Sequence, residues 1–171
     1  MTMDINKINR SAMEGLDTIY YSSPLGLMEI QATAQGLRAA NFANEKILTE
    51  VENMYNQLAI NQLDAYFNGE IKIFDLPLDL EGTDFQKRVW NELLNIPFGK
   101  TKSYMDIARA IGDPKTIRAV GMANGSNKIA IIVPCHRVIG SDGSLTGYAG
   151  GMARKKWLLE FETPPIQQEL F

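Results

Sequence analysis

Cys135 and His136 are the sole cysteine and the sole histidine of the chain, and they stand side by side in "IAIIVPCHRVIGSDG", residues 129–143, between Pro134 and Arg137. A thiol is a strong nucleophile only as thiolate. Its ordinary pKa of about 8.5 means that reactivity near neutral pH needs a base, a positive environment or a helix N-terminus. His136 can be that base, and Arg137 adds positive charge nearby. Adjacent residues of extended chain point to opposite faces, so a direct Cys135–His136 hydrogen bond is disfavoured and a water can bridge them. A third group would have to orient the imidazole, and the residues alone nominate none. The alternative is a buried, inert thiol at the end of an apolar run. One cysteine and one histidine are too few soft ligands for a structural zinc site, so no metal is expected, and a single cysteine forms no internal disulfide.

The elements that must position this pair divide into two sets. "IAIIV" is too apolar for an exposed loop and delivers Pro134, whose ring fixes the backbone, from the interior. Upstream, "TIYYSS", "LMEIQAT" and "LRAANFA" alternate with the turn sequences "PLG" and "AQG" and predict an antiparallel meander. From Ile47 to Phe67 apolar residues recur at helical spacing, predicting one helix or two, stopped at Asn68-Gly69. "IKIFDLPLDLEG" reads as a connector, which places a boundary near residues 76–84: an N-terminal α/β domain at 1–80 and a C-terminal domain at 81–171. In the second set Thr83 and Gln86 have capping-box spacing ahead of the stripe Phe85, Val89 and Leu93. "SYMDIARAIG", capped by Ser103, and "KTIRAVGMANGSN" follow across a turn at Asp113-Pro114. Helix, short turn, helix is the helix-turn-helix pattern, here with Arg118 and Asn124 available outward. "GYAGG" supplies a Gly-rich loop before a last helix, and the tail "TPPIQQELF" matches no motif and is expected to be flexible.

Charge separates along the same lines. The chain carries −3 overall, but residues 100–156 hold ten Lys and Arg against three Asp and Glu, surrounding the Cys-His pair. A local basic surface suits a polyanion even when the remainder is acidic. The 171 residues, 45% of them hydrophobic, can bury a core. No signal-peptide pattern or 18-residue apolar run occurs, so a cytoplasmic protein without a membrane partner is expected.

"VPCHRVIGSDGSLTGYAGG", with "SYMDIARAIGDPKTIRAVGMANGSN" before it and "RKKWLLEFE" after it, resembles the methylated-DNA–protein-cysteine methyltransferases, the O6-alkylguanine-DNA alkyltransferases of the bacterial Ogt type. The resemblance runs from about Phe85 to Glu162. It implies an α/β ribonuclease-H-like N-terminal unit and a mostly α, winged-helix-like C-terminal unit containing the helix-turn-helix. It implies direct-reversal DNA repair: a monomer binds double-stranded DNA, flips an O6-alkylguanine and moves the alkyl group irreversibly to Cys135, without a cofactor. His136 would act through a water, Glu162 would orient His136, and Asn127 would tie the recognition helix to the active-site segment. Arg118 would fill the gap left by the flipped base, with Ala123, Asn124 and Arg137 joining the DNA contacts. Tyr104 would crowd the rotated phosphate and donate to the base, while Pro134, the Val138 carbonyl, Tyr148 and the Ala149 amide would form the substrate pocket. Lys128, Phe161 and Ala149 stand where relatives frequently have proline, histidine and serine, which bears on pocket width and so on larger alkyl groups and O4-alkylthymine.

Two other classes compete. A lesion-binding module of the alkyltransferase-like kind lacks the nucleophile that Cys135 supplies. A cysteine hydrolase needs a base that reaches the thiol directly, and the sole histidine is its sequence neighbour.

Overall fold

The structure, a computed structural model, describes residues 15–163; the tail from residue 164 onward, and the expectation attached to it, lie outside the described residues. The chain forms two compact units. The first comprises the described residues to Gly82 together with Lys128–Ile132, and the second comprises Thr83–Asn127 and the described residues from Val133.

In the first unit β1 (Asp17–Ser23), β2 (Gly26–Ala32) and β3 (Leu37–Phe42) form the expected antiparallel meander. Its register pairs Ile19 with Ile30 and Ile30 with Ala40, and shifts at a bulge between Gln31 and Ala32. Alternate side chains reach one face, so Ile19, Met28, Ile30, Leu37 and Ala40 are buried, as are Ala59, Leu63 and Tyr66 of helix α1 (Met54–Phe67). Helix α1 starts seven residues later than the apolar spacing suggested. Val51 N–H donates to the Thr18 carbonyl, and the Ile47 and Leu48 amides donate to the Tyr20 hydroxyl, so these donors are spent on β1 and are lost to a helix. Asn53 and Asn56 then form a capping box that opens α1. At Gly36 a Cβ would lie 2.6 Å from the Pro77 carbonyl oxygen, so this turn admits no side chain. Lys128–Ile132 joins the unit through Ala40, whose N–H donates to the Lys128 carbonyl at 2.8 Å and whose carbonyl accepts from Ala130 N–H at 2.9 Å. A boundary at residues 76–84 alone does not anticipate this return of the chain.

The second unit is mostly helical. Helix α2 (Asp84–Leu94) opens on the Thr83–Gln86 capping box, and Val89, Trp90 and Leu93 make its buried stripe. A two-residue strand β4 (Lys102–Ser103) leads into α3 (Tyr104–Ala110), whose N-cap Ser103 forms a capping box with Asp106. Asp113 caps a 3-10 turn at Pro114–Thr116, after which α4 (Ile117–Gly125) begins. Val120 and Ala123 of α4 are buried with Ile107 and Ala108 of α3, and the Trp90 indole N–H of α2 donates to the Ala123 carbonyl at 2.8 Å. Beyond the 3-10 turn Cys135–Arg137, β5 (Val138–Ile139) pairs parallel with β4, and α5 (Met152–Glu162) completes the unit. That two-residue ladder brings Tyr104, the first residue of α3, next to the segment that carries Cys135.

Candidate active site

Cys135 opens its 3-10 turn at the end of the apolar run and is 4% exposed. Burial pushes its thiol pKa up, against the opposing pull of the Asn127 amide, the Lys155 charge and the backbone N–H groups of Cys135 and His136. The resting group is a thiol. Asn127 sends Nδ2 to Cys135 Sγ at 3.2 Å and to the Val133 carbonyl at 3.0 Å, so one amide holds both the nucleophile and the segment that delivers it.

His136 is fully buried, and its Nε2 lies 2.8 Å from Glu162 Oε1. Burial alone would raise the Glu162 carboxyl, but hydrogen bonds and charge from His136 and Arg137 outweigh it and hold the group at about 2. Glu162 is therefore a carboxylate, which can only accept, so Nε2 carries the imidazole proton. Burial pulls the His136 pKa down although Glu162 opposes it, and the ring rests neutral. Nδ1 is then left as a bare acceptor, and it has no hydrogen-bond partner among the described residues. Arg137 completes the cluster. Its Nε donates to Glu162 Oε2 at 2.9 Å, one Nη donates to Oε1 at 2.8 Å, and the other donates to the Ile96 carbonyl at 2.7 Å.

Lys155 of α5 is wholly buried, and Nζ donates to the Val138 carbonyl at 2.6 Å and the Thr146 carbonyl at 2.8 Å. Desolvation lowers its pKa, and Cys135, once it is a thiolate, works to raise it. The ammonium thus braces β5 against the loop at residues 146–150. On that loop Tyr148 has a buried hydroxyl without a hydrogen-bond partner among the described residues, and burial followed by the proximity of Cys135 pushes the phenol pKa up. Tyr104, Arg118, Gly121, Gly125, Thr146, Tyr148 and Ala149 are among the residues that line a cavity of about 650 Å³, and the Thr146 hydroxyl donates to the Tyr104 hydroxyl at 3.0 Å.

The structure brings Cys135, His136, Glu162 and Asn127 together, and it gathers Tyr104, Arg118, Tyr148 and Ala149 at the cavity. Other expectations are corrected. Asn124 does not face outward: it is 3% exposed and sends Nδ2 to the Cys135 carbonyl at 3.4 Å. Ala123 lies in the helix interface, and Arg137 is 6% exposed with its guanidinium spent on Glu162 and Ile96 rather than presented to a phosphate. Lys155, counted above within a basic surface, is internal. The sequence signal for it is its position three residues before Leu158 and seven before Glu162, the other buried residues of a helix whose second lysine, Lys156, is exposed.

The two segments match two family models. Residues 84–164 match the one described as 6-O-methylguanine DNA methyltransferase, DNA binding domain, and residues 18–80 match the ribonuclease-like domain of the same name. The chain is 50% identical to a methylated-DNA–protein-cysteine methyltransferase of Methanosarcina acetivorans over 149 residues, which cover 83% of this chain and 95% of the relative. Among solved structures, Mycobacterium tuberculosis O6-methylguanine methyltransferase superposes with a TM-score of 0.80 at 45% identity, covering 90% of this chain and 96% of that one. The same organism's OGT in complex with DNA superposes with a TM-score of 0.76 at 48% identity, over 86% and 92% of the two chains.

Proposed function

The chain belongs to the 6-O-methylguanine DNA methyltransferase family, and on that premise we propose that Cys135 is the alkyl acceptor of its DNA-repair reaction and that the residues around it divide the work as follows. A monomer in the cytoplasm meets double-stranded DNA carrying O6-alkylguanine. The alkylated oxygen lies inside the duplex, so the nucleotide is turned out at a cost of a few kcal/mol, and Arg118, exposed at the cavity rim, replaces it in the stack. The work falls to residues 81–171, while residues 1–80 form the companion domain.

The thiol proton passes through a water to His136 Nδ1, leaving a thiolate beside an imidazolium that the Glu162 carboxylate supports. Sγ then forms a bond to the alkyl carbon as the bond from that carbon to guanine O6 breaks, and the electron pair leaves with the base. The Tyr104 hydroxyl and the Ala149 amide stabilise the departing oxyanion. The Val138 carbonyl reads the guanine amino group with the lone pair that Lys155 does not use, and Pro134 and Tyr148 shape the pocket. Asn127 holds Sγ in line. A thioether has no route back, so each molecule acts once.

The observation that carries this reading is the 2.8 Å bond between His136 Nε2 and Glu162, because it fixes the tautomer that leaves Nδ1 ready to accept a proton. The test is the intact mass of the protein after mixing with a duplex oligonucleotide containing O6-methylguanine. One added methyl group, mapped to Cys135 and absent in Cys135→Ser, is expected. Transfer by the serine variant at the native rate would overturn the assignment.

A further inference from the structure

Among the described residues three buried side-chain atoms lack a hydrogen-bond partner: Asn124 Oδ1, His136 Nδ1 and the Tyr148 hydroxyl. A buried polar atom without a partner is costly, so three of them call for an explanation. All three belong to the surroundings of Cys135. Asn124 donates to the Cys135 carbonyl, His136 is the next residue, and Tyr148 is near enough for the Cys135 charge to act on its phenol.

The orientation of Asn124 follows from its neighbour. Nδ2 faces the Cys135 carbonyl at 3.4 Å, and the reverse orientation would set two acceptor oxygens against each other. Oδ1 is consequently turned away from that carbonyl as a buried acceptor, and His136, the residue after Cys135, supplies a second buried acceptor in Nδ1. Two acceptors cannot satisfy one another. A water satisfies both, because it has two protons to give and a lone pair left to receive one. Buried waters ordinarily make about three hydrogen bonds to groups of this kind.

We propose that Asn124 is a positioning residue of the transfer reaction, holding the water that relays the proton from Cys135 to His136. The water donates one hydrogen to Asn124 Oδ1 and the other to His136 Nδ1, which leaves its lone pair directed at the Cys135 thiol. On activation the S–H bond breaks and its proton forms an O–H bond to the water. The water's own proton then passes to Nδ1. The thiol becomes thiolate and the imidazole becomes imidazolium, with the water regenerated. Without Oδ1 the second hydrogen has no fixed acceptor, and the water is free to turn its lone pair away from sulfur. The helix that presents Arg118 thereby also contributes to activation of the nucleophile, through Asn124 two turns along.

This inference rests on the assignment of Cys135 and His136 made above, and its test is separate from that of the assignment. The rate of Cys135 alkylation by iodoacetamide, without DNA, is followed against pH in the full chain and in Asn124→Leu and Asn124→Asp. His136, Arg137, Lys155, Tyr148 and Glu162, the titratable and charged groups around the thiol, are unchanged in both. Asn124→Leu removes donor and acceptor at similar volume. Its profile is expected to move upward by about one pH unit, about a tenfold loss of rate at pH 7, since one unit of pKa is a tenfold change in thiolate. Asn124→Asp, kept protonated by burial, again presents one donor and one acceptor, and its profile is expected to return to within about half a unit of the native one. DNA affinity is expected to stay within about twofold in both, since Oδ1 faces the interior.

A merely structural amide would lower thermal stability in Asn124→Leu and leave the pH profile in place, and that result would overturn the proposal. If Asn124→Leu does not fold, a high-resolution crystal structure of the native chain decides. A water within hydrogen-bond distance of both His136 Nδ1 and Asn124 Oδ1 supports the proposal, and a water bonded to His136 alone overturns it. If native protein gains no methyl group at Cys135 from alkylated DNA, the fault lies with the assignment of the acceptor and not with Asn124.

Discussion

Glu162 accepts from both residues that follow the nucleophile, and this double duty shapes what its loss should do. Glu162→Gln cannot balance the Arg137 guanidinium, and breaking a buried pair from one side costs about 3–5 kcal/mol. The variant should melt well below the native protein, and thiol reactivity near neutral pH should fall in the surviving folded fraction, as calorimetry and reagent kinetics would show. The carboxyl is held at about 2 against an ordinary value of 4.5, a depressed folded-state pKa. Its stabilising contribution is therefore complete above about pH 4.5 and lost as pH falls through about 2. The gap in melting temperature between native and Glu162→Gln protein should close across that window. A gap that stays constant from pH 6 to pH 2 would show that the carboxylate charge is not what stabilises the cluster. Lys155→Met should leave the Val138 and Thr146 carbonyls without their donor, loosening the loop at 146–150 and slowing alkyl transfer more than DNA binding. Equal losses in both measurements would argue against a brace.

At the scale of elements, Ser103 closes a capping box at the start of α3, and Tyr104 is the first residue inside it. Ser103→Ala should cost about 1 kcal/mol of stability and, by fraying the turn that presents Tyr104, slow transfer as well. Thermal melts and single-turnover kinetics on one preparation would check both. Elements with such local signatures can be read from the residues: the Thr83–Gln86 pair and the cap Ser103 fix two helix starts to within a residue. The start of α1 is not legible in the spacing, because Ile47 and Val51 continue the apolar pattern while their amides bond to β1, a partnership made through space that spacing does not carry. The β4–β5 ladder is two residues long and pairs segments far apart in sequence, so no alternation announces it. The candidate site divides in the same way. Cys135 and His136 are legible from type and adjacency, and Glu162 from resemblance alone. The inward turn of Asn124 follows from the rotation of α4, whose buried side is set by Trp90 and α3.

Over the whole chain the charge division survives with fewer members. Of the ten cations between residues 100 and 156, Arg137 and Lys155 are internal and eight remain at least partly exposed. DNA affinity should fall as salt rises, with each phosphate contact contributing about 0.9 to the slope of log K against log salt. Arg118→Ala should weaken binding while leaving that slope unchanged, because an arginine that replaces a base in the stack neutralises no phosphate. Fluorescence-anisotropy titrations at several salt concentrations would measure both quantities, and a slope shallower by about 0.9 would reassign Arg118 to the backbone.

The return of Lys128–Ile132 to the first unit acquires a different meaning when the chain is considered as it is made. A ribosome delivers residues in order, and domains ordinarily complete themselves from the N-terminus as they emerge. Here the partners of the Ala40 N–H and carbonyl arrive only after most of the second unit has been synthesised. A nascent chain arrested shortly after Gly82 should carry an unfinished edge at β3 and yield to protease there, and resistance should appear only once residue 132 has cleared the exit tunnel. The order of synthesis thus ties completion of the meander to delivery of the segment that ends in the nucleophile.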